Sequence, residues 1–172
     1  MLVYHGSTQE IRNPKTDVSR KLIDFGQGFY ATTIKDQAEK WAKRKAGEKR
    51  VLGEIENAVV NIYEYTQNSH LLVKKFGGYN EEWLMFVVNN RRGLDLGKNF
   101  GYDIYEGFVA DDDVAVVVDN FMQLLEKGRA NDTAIKAALL ELEYQIPNNQ
   151  ICFASNKSLQ YLKFIESYAV KK

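Results

Sequence analysis

The chain has 172 residues, one cysteine, and acidic and basic residues in equal number, 23 of each. This length suits one domain, residues 1–172, and the balanced charge removes the electrostatic reason to expect nucleic acid or an acidic membrane surface as a partner. One cysteine cannot form a disulfide or a metal cluster within the chain, and neither a secretory leader nor an apolar run of about 20 residues is visible. We therefore expect a cytoplasmic protein without a membrane partner.

The chain opens on a short apolar run that is followed by a polar loop. Residues 1–4 are apolar and predict a strand, which ends at His5-Gly6-Ser7. The polar stretch 8–22 predicts a long loop, and long loops in compact domains are often binding loops. This loop carries three cations: Arg12, Lys15 and Arg20.

A glycine-rich turn leads into the next strand. Gly26 and Gly28 both suit a turn with positive φ, which glycine adopts without steric cost. The aromatic and β-branched run 29–32 predicts a strand, and Thr33 then marks the start of a helix over about 35–49. Four side chains fall at helical spacing along this helix: Ala38, Trp41, Ala42 and Lys45.

The rest of the chain predicts further strands and helices, in an order that suits an α+β fold. The predicted strands cover 55–65, 102–109, 149–154 and 161–170. The predicted helices start at the capping residues Asn80, Asp111-Asp112-Asp113, Asn131 and Ser155.

Two charged runs have a functional alternative. The aspartates 111–113 are adjacent at a helix start, where the dipole favours acids, whereas Ca²⁺ loops space their ligands, so no metal site is predicted. Arg91-Arg92-Gly93 is typical of a helix C-terminus, which we prefer to phosphate binding.

Several short motifs occur together in a known superfamily. His5-Gly6-Ser7, followed by Asp-Phe-Gly-x-Gly-Phe-Tyr-x-Thr at 24–32, resembles the histidine–tyrosine–glutamate branch of the ADP-ribosyltransferases. Within it, the sequence is most similar to a bacterial family that is often encoded in toxin–antitoxin pairs. The resemblance continues through Gln-Ala-x-x-Trp-Ala at 37–42, Tyr-Asp-Ile at 102–104 and Asn-Gln-Ile-Cys-Phe at 149–153.

The resemblance implies both a fold and a substrate. It implies two packed, mostly antiparallel sheets that form a cleft, with peripheral helices, and NAD as the substrate. The nicotinamide would stack between Tyr30 and Trp41, which stands eleven residues later, the spacing of the second ring in polymerase-like members. Two rings suit a flat cationic ring, because stacking and cation–π attraction add.

The same resemblance implies the remaining NAD contacts. The main chain of Gly6 would pair with the nicotinamide carboxamide, which Ser7 would also hold. His5 would bond a hydroxyl of the adenosine ribose. Gly28 and Arg12 complete the predicted binding residues, and Arg12, Lys15 or Arg20 of the polar loop would meet the pyrophosphate.

The third catalytic position departs from the branch, which usually has glutamate there. The late strand offers Gln150, our candidate, or Asn149, since strand alternation turns only one of the two toward the cleft. An amide can bond the ribose 2′-hydroxyl but carries no charge, and losing a preorganised charge costs roughly 3 kcal/mol, or about a hundredfold in rate. Three other carboxylates are weaker candidates: Glu141, Glu143 and Glu166.

Three functions therefore compete. The first is a toxin-like mono-ADP-ribosyltransferase with an unknown macromolecular acceptor and an antitoxin partner. The second is a catalytically weak or inactive NAD or ADP-ribose binding module, or a protein-interaction module. The third is a structural protein whose aromatic side chains, such as Tyr30 and Trp41, only fill a core.

Overall fold

The computed structural model describes residues 1–54, 56–94, 101–110, 112–142 and 148–171. Within these ranges the strands are β1 Leu2–Ser7, β2 Phe29–Ala31, β3 Val59–Tyr65, β4 Val73–Lys75, β5 Ile104–Gly107, β6 Gln150–Phe153 and β7 Leu162–Ala169. The helices are α1 Lys35–Val51, α2 Glu81–Arg91, α3 Asp112–Glu126, α4 Asp132–Leu142 and α5 Asn156–Leu159.

The strands form two sheets, and the predicted α+β class with mostly antiparallel sheets is confirmed. Sheet A has the order β1-β3-β7, and sheet B has the order β2-β6-β5-β4, in which the pair β4-β5 is parallel. The two sheets are joined by an isolated antiparallel bridge between Tyr4 and Thr32.

Three hydrophobic clusters hold these layers together. One cluster contains inward side chains of both sheets, such as Val3, Tyr63 and Phe153, so the sheets pack face to face. A second joins the other face of sheet B to α2, α3 and α4 around Trp83, and a third joins α1 to sheet A. α1 and the other long helices therefore cover opposite outer faces.

The helix starts at Asn80, Asn131 and Ser155 are confirmed. Each side chain accepts a hydrogen bond from the backbone N–H three residues later, at 2.9, 3.0 and 3.1 Å respectively. These bonds satisfy N–H groups that a first helical turn leaves without partners. The end of α2 is also confirmed, since Gly93 follows it with φ of 72°.

Other expectations needed correction. α1 has no side-chain cap: Ile34 precedes it, and Thr33 bonds Asn149 instead. Of the two turn glycines only Gly26 has positive φ, at 75°, whereas Gly28 is needed because a Cβ there would lie 2.5 Å from Cys152 Sγ.

The predicted strands are shorter than expected because a strand ends where its partner ends. β3 begins at Val59, opposite the last residue of β1, rather than at residue 55, which lies outside the described residues. β5 likewise ends at Gly107, opposite the first residue of β6. A strand beyond its partner lacks ladder hydrogen bonds.

Two findings concern the described residues alone. None of their helices combines the length and apolar character that crossing a bilayer requires. Nor do three His, Cys, Asp or Glu side chains among them come together as a metal site. The aspartate run 111–113 stays without a test, because Asp111 lies outside the described part.

Candidate functional site

The two sheets separate at the end of β1, beside His5. Tyr4 N–H donates to Thr32 O at 2.8 Å, and Thr32 N–H donates back to Tyr4 O at 2.9 Å. The next interaction across this junction comes from a side chain, because the His5 ring nitrogen Nδ1 lies 2.5 Å from Tyr30 O. A carbonyl only accepts, so Nδ1 carries the proton. The imidazole thus takes the place of a strand partner where β1 and β2 diverge.

This junction sets Gly6 opposite Tyr30. The Tyr4–Thr32 register, continued by two residues, aligns Gly6 with Tyr30 across the separation. Because backbone groups alternate along a strand, the N–H and C=O of Gly6 point to the same edge as those of Tyr4, toward β2. The main chain of Gly6 and the ring-bearing residue Tyr30 therefore border one cleft.

Trp41 lies beside the same cleft. It stands in an i, i+4, i+8 row of α1 between Gln37, which bonds the main chain of Asn149 at 2.7 Å, and Lys45, whose Nζ donates to Gly6 O at 2.7 Å. A Cβ on Gly6 would lie 3.0 Å from Trp41 Cβ. The indole Nε1–H is buried and has no hydrogen-bond partner among the described residues.

Tyr30 is fixed by its hydroxyl. Tyr30 OH donates to Gly26 O at 2.6 Å and accepts from Phe25 N–H at 3.1 Å. Its side chain is partly buried and packs against the cluster around Trp83, on the face of sheet B away from sheet A. The glycine-rich turn therefore locks the position of the ring, and burial raises the pKa of the phenol well above its usual value.

Gln150, rather than Asn149, shares the Tyr30 face of sheet B. Tyr30 is paired with Cys152, and alternation returns Gln150 to the same face. Gln150 is 3% exposed, and its Nε2 donates to Asp24 Oδ2 and to Phe108 O, both at 2.9 Å. Both amide protons are thus used, and no described residue donates to the carbonyl oxygen Oε1.

Asn149 has a different task. Its Oδ1 accepts from Thr32 Oγ1 and from Thr33 N–H, each at 2.9 Å, and its Nδ2 donates to Thr33 Oγ1 at 2.7 Å. These bonds tie the segment before α1 to sheet B. The alternative between the two amides is thereby resolved as geometry: Asn149 anchors α1, and Gln150 lies on the face of Tyr30.

His5 is held neutral. Burial, followed by the nearby Lys45 ammonium, lowers the pKa of His5 to about 3, while the bond to Tyr30 opposes this shift. Its ring stacks on Phe29, with centroids 4.5 Å apart. With Nδ1 donating, Nε2 remains an acceptor, which suits a ligand hydroxyl.

The low pKa of His5 predicts acid sensitivity. In the unfolded chain a histidine binds a proton near pH 6.5, whereas folded His5 does not until about pH 3. The free energy of unfolding is therefore highest above pH 6.5. It falls as the pH falls, by about 2 kcal/mol between pH 7 and pH 5. Urea unfolding across this range measures the loss.

The matched variants separate His5 from other groups. His5→Asn, whose amide can still donate to Tyr30 O, should flatten this pH dependence. The exposed second histidine offers the control, since His70→Asn should leave the dependence as in the parent protein. Equal pH slopes in the parent and His5→Asn would show that His5 titrates normally.

The predicted phosphate cations occupy different places. Arg12 pairs with Glu10 at 2.6 Å and lies over the Phe164 ring of β7, the strand of sheet A farthest from β1, with 67% of its side chain exposed. The structure does not bring Arg12 to the other site residues. Arg20 instead lies 3.9 Å from Glu48 of α1, where it helps lower the pKa of Lys45 to about 8, after burial and Arg44.

The remaining predicted site residues have structural contacts. Ser7 is buried, lies on the face opposite Gly6 and accepts from Gln9 N–H at 3.4 Å. Gly28 packs against β6 and donates its N–H to Ser19 Oγ at 2.9 Å. Their predicted contacts with NAD stay predictions.

Neither of the two alternative carboxylates that the structure describes is hydrogen-bonded to Gln150. Glu166 is exposed on β7, Glu141 is exposed on α4, and Glu143 lies outside the described residues. Two open cavities of about 470 and 390 Å³ lie elsewhere, along α4 at Lys136 and Leu139.

Asp24 is the site residue that sequence reasoning missed. Arg91, assigned only to the end of α2, bonds its carboxylate at 2.7 Å. The partners of the Asp24 carboxylate are 67 or more residues away in the chain, so no local pattern indicates them. The one available signal was the position of an acidic residue in a segment of glycines and phenylalanines.

Comparison with known proteins supplies a family. Residues 1–164 match the family described as protein of unknown function DUF3990. No curated protein and no solved structure matches the chain significantly. The matched range contains the candidate residues from His5 to Gln150. The chain therefore belongs to the DUF3990 family.

Proposed function

We propose that the protein is an NAD-dependent mono-ADP-ribosyltransferase with an ADP-ribosyltransferase-like fold. The observation that carries the proposal is the separation of β1 from β2 at His5. It sets the main chain of Gly6 opposite Tyr30, with Trp41 of α1 beside Gly6 and Gln150 on the Tyr30 face of sheet B. A flat ring with a carboxamide is the ligand that suits two aromatic walls and the main-chain edge of Gly6.

The residues present fit the nicotinamide end of NAD. A carboxamide has one acceptor and two donor protons, which complement the N–H and C=O of Gly6. To bind there, the carboxamide replaces the Lys45 ammonium on Gly6 O, now 2.7 Å away. The buried Trp41 Nε1–H supplies an additional donor.

The chemistry is cleavage of the bond between nicotinamide and ribose. Nicotinamide leaves with the bonding electron pair, and an oxocarbenium-like ribose develops. An acceptor atom then attacks the ribose carbon that was bonded to nicotinamide and loses its proton. Gln150 Oε1 accepts from the ribose 2′-hydroxyl, and the π faces of the two rings stabilise the cationic ground state and orient it. NAD is the substrate, a macromolecule is the acceptor, and an antitoxin is the inhibitory partner.

The reaction is slow because the described residues of the site offer no free negative charge to the oxocarbenium-like ribose. Gln150 is neutral, and the nearby Asp24 carboxylate is compensated by Arg91 and accepts four hydrogen bonds. Neither group offers an uncompensated charge to the transition state. Transfer of single ADP-ribose units, rather than polymer formation, follows.

These charges also favour a second candidate function. A pocket with two rings and a polar main-chain edge, but with no uncompensated carboxylate beside Gln150 among the described residues, can bind NAD or ADP-ribose without turnover. The two candidates are distinguished by nicotinamide release during incubation with NAD and candidate acceptors, because binding alone releases none.

The two tryptophans of the chain test the pocket. Trp83 is fully buried, with its Nε1 donating to Phe108 O at 3.1 Å, so Trp83→Ala should cost ~3–5 kcal/mol. Trp41 is partly exposed and belongs to none of the three core clusters, so Trp41→Ala should cost less than half of that. Urea unfolding and NAD calorimetry measure the two effects.

NAD affinity should respond in the opposite way to stability, with the larger effect at Trp41 than at Trp83. Trp41→Ala should lose NAD binding at least tenfold, because one of the two walls is removed, whereas a milder core variant, Trp83→Phe, should bind NAD as the parent does. A large stability loss in Trp41→Ala with unchanged NAD affinity would favour the core-filling function.

A further inference from the structure

Asp24 is a buried carboxylate whose bonding capacity is fully used. It is 6% exposed. Oδ1 accepts from Arg91 Nε at 2.9 Å and Nη2 at 2.7 Å, and Oδ2 accepts from Ala110 N–H at 2.8 Å and Gln150 Nε2 at 2.9 Å. Arg91 also donates to Ala110 O at 2.6 Å. A buried charge with this many partners holds its neighbours in one arrangement.

The contact between Asp24 and Gln150 determines which end of the Gln150 side-chain amide faces a ligand. Asp24 Oδ2 and Phe108 O are both acceptors, so both lie against the amide nitrogen. Rotating the amide by half a turn would bring its oxygen against two oxygens. The carbonyl oxygen is therefore the atom left for a ligand, and a ligand hydroxyl is the group it binds.

We propose that Asp24 is the positioning residue of this site, which aims the Gln150 carbonyl oxygen at a hydroxyl of the bound ribose. This proposal rests on the proposed function. It also explains why an amide stands at position 150, since a carboxylate there would face the Asp24 oxygen at hydrogen-bond distance.

The test compares two variants that weaken the same ion pair from opposite sides. Asp24→Asn leaves one side-chain oxygen, for which the Arg91 guanidinium competes with Gln150 and Ala110, whereas Arg91→Lys keeps the Asp24 carboxylate and its bonds to Gln150 and Ala110. The first measurement needs no ligand: hydrogen exchange of the Gln150 side-chain amide in the ¹⁵N-labelled full chain, with its signals assigned by their loss in Gln150→Leu. Exchange should accelerate at least tenfold in Asp24→Asn and less than threefold in Arg91→Lys.

The second measurement is NAD turnover below the unfolding transition of each variant. Asp24→Asn should lower kcat by on the order of tenfold to a hundredfold with little change in KM, because a misaimed group loses its transition-state contact. Arg91→Lys should stay within about threefold. If Asp24→Asn does not fold, Asp24→Glu, which keeps the charge but moves its oxygens, should show the same kcat loss.

The outcomes separate this proposal from the function it rests on. A parent protein that never releases nicotinamide overturns the proposed transferase, and the positioning role with it, even if exchange shows a held amide. Turnover in the parent that Asp24→Asn leaves unchanged, or slow exchange that persists in that variant, overturns the role of Asp24 alone.

Discussion

Replacing Gln150 by glutamate should destabilise the protein by about 3 kcal/mol or more at pH 8, although it restores the residue usual in the branch. The substituted oxygen would stand where Nε2 now lies, 2.9 Å from both Asp24 Oδ2 and Phe108 O. Two buried carboxylates at this separation cannot both ionise, and removing a partner from a buried charge costs ~3–5 kcal/mol.

The stability loss of Gln150→Glu should be larger at high pH than at low pH. Sharing one proton raises the folded pKa of the carboxyl pair above its unfolded value of about 4.3. Stability of the variant is therefore retained at low pH and lost as the pH rises through the raised pKa. Urea unfolding at pH 5 and pH 8 should give a larger difference from the parent at pH 8.

Asn149→Asp is the matched control for this substitution. Asn149 Oδ1 accepts from Thr33 N–H beside the start of α1, where a negative charge is favourable. Its stability should stay within about 1 kcal/mol of the parent. A Gln150→Glu protein that is as stable as the parent at pH 8 would show that Asp24 and Gln150 are not in contact.

Gly6→Ala should lose both stability and the site. A Cβ there would lie 2.2 Å from Ala38 O and 2.7 Å from Ala42 N, which are main-chain atoms of α1. The helix would have to move away from β1, at a cost on the order of 3 kcal/mol. The same displacement would carry Trp41 and Lys45 away from the cleft, so NAD binding should fall at least tenfold.

A second glycine in α1 provides the control. Gly47 is exposed within the helix, and a Cβ there meets nothing within 4 Å. Gly47→Ala should therefore raise stability by ~0.5–1 kcal/mol and leave NAD binding unchanged. Equal stability of Gly6→Ala and the parent in thermal unfolding would contradict the close approach of α1 to β1.

Local features of the fold were predictable from sequence because their causes are local. The bonds at Asn80, Asn131 and Ser155 span three residues, so a capping residue before an apolar run suffices to place a helix start. The buried side chains of α3 follow helical spacing, which is a local pattern of the sequence: Val114, Val117, Val118 and Phe121.

Long-range features were not predictable in the same way. The ends of β3 and β5 are set by strands far away in the chain, and no local pattern states where those partners stop. Asp24 gains its role from residues 67 to 126 positions away. The motif containing Asp24 was visible, but its partners were not.

The candidate site was predictable from the sequence only in part. The resemblance to polymerase-like members selected Trp41 by its distance from Tyr30 in the chain. The Gln37–Trp41–Lys45 row places that residue beside Gly6. The choice of Gln150 over Asn149 followed from strand parity once the pairing of Tyr30 with Cys152 was known. The roles of these residues toward NAD stay predictions.

A crystal structure of the protein soaked with NAD or nicotinamide tests the central claim most directly. We expect the pyridine ring between Tyr30 and Trp41, its carboxamide on the main chain of Gly6 in place of the Lys45 ammonium, and a ribose hydroxyl on Gln150 Oε1. Density for the ring at another place, such as the groove along α4, or an empty cleft at saturating ligand, would contradict the account.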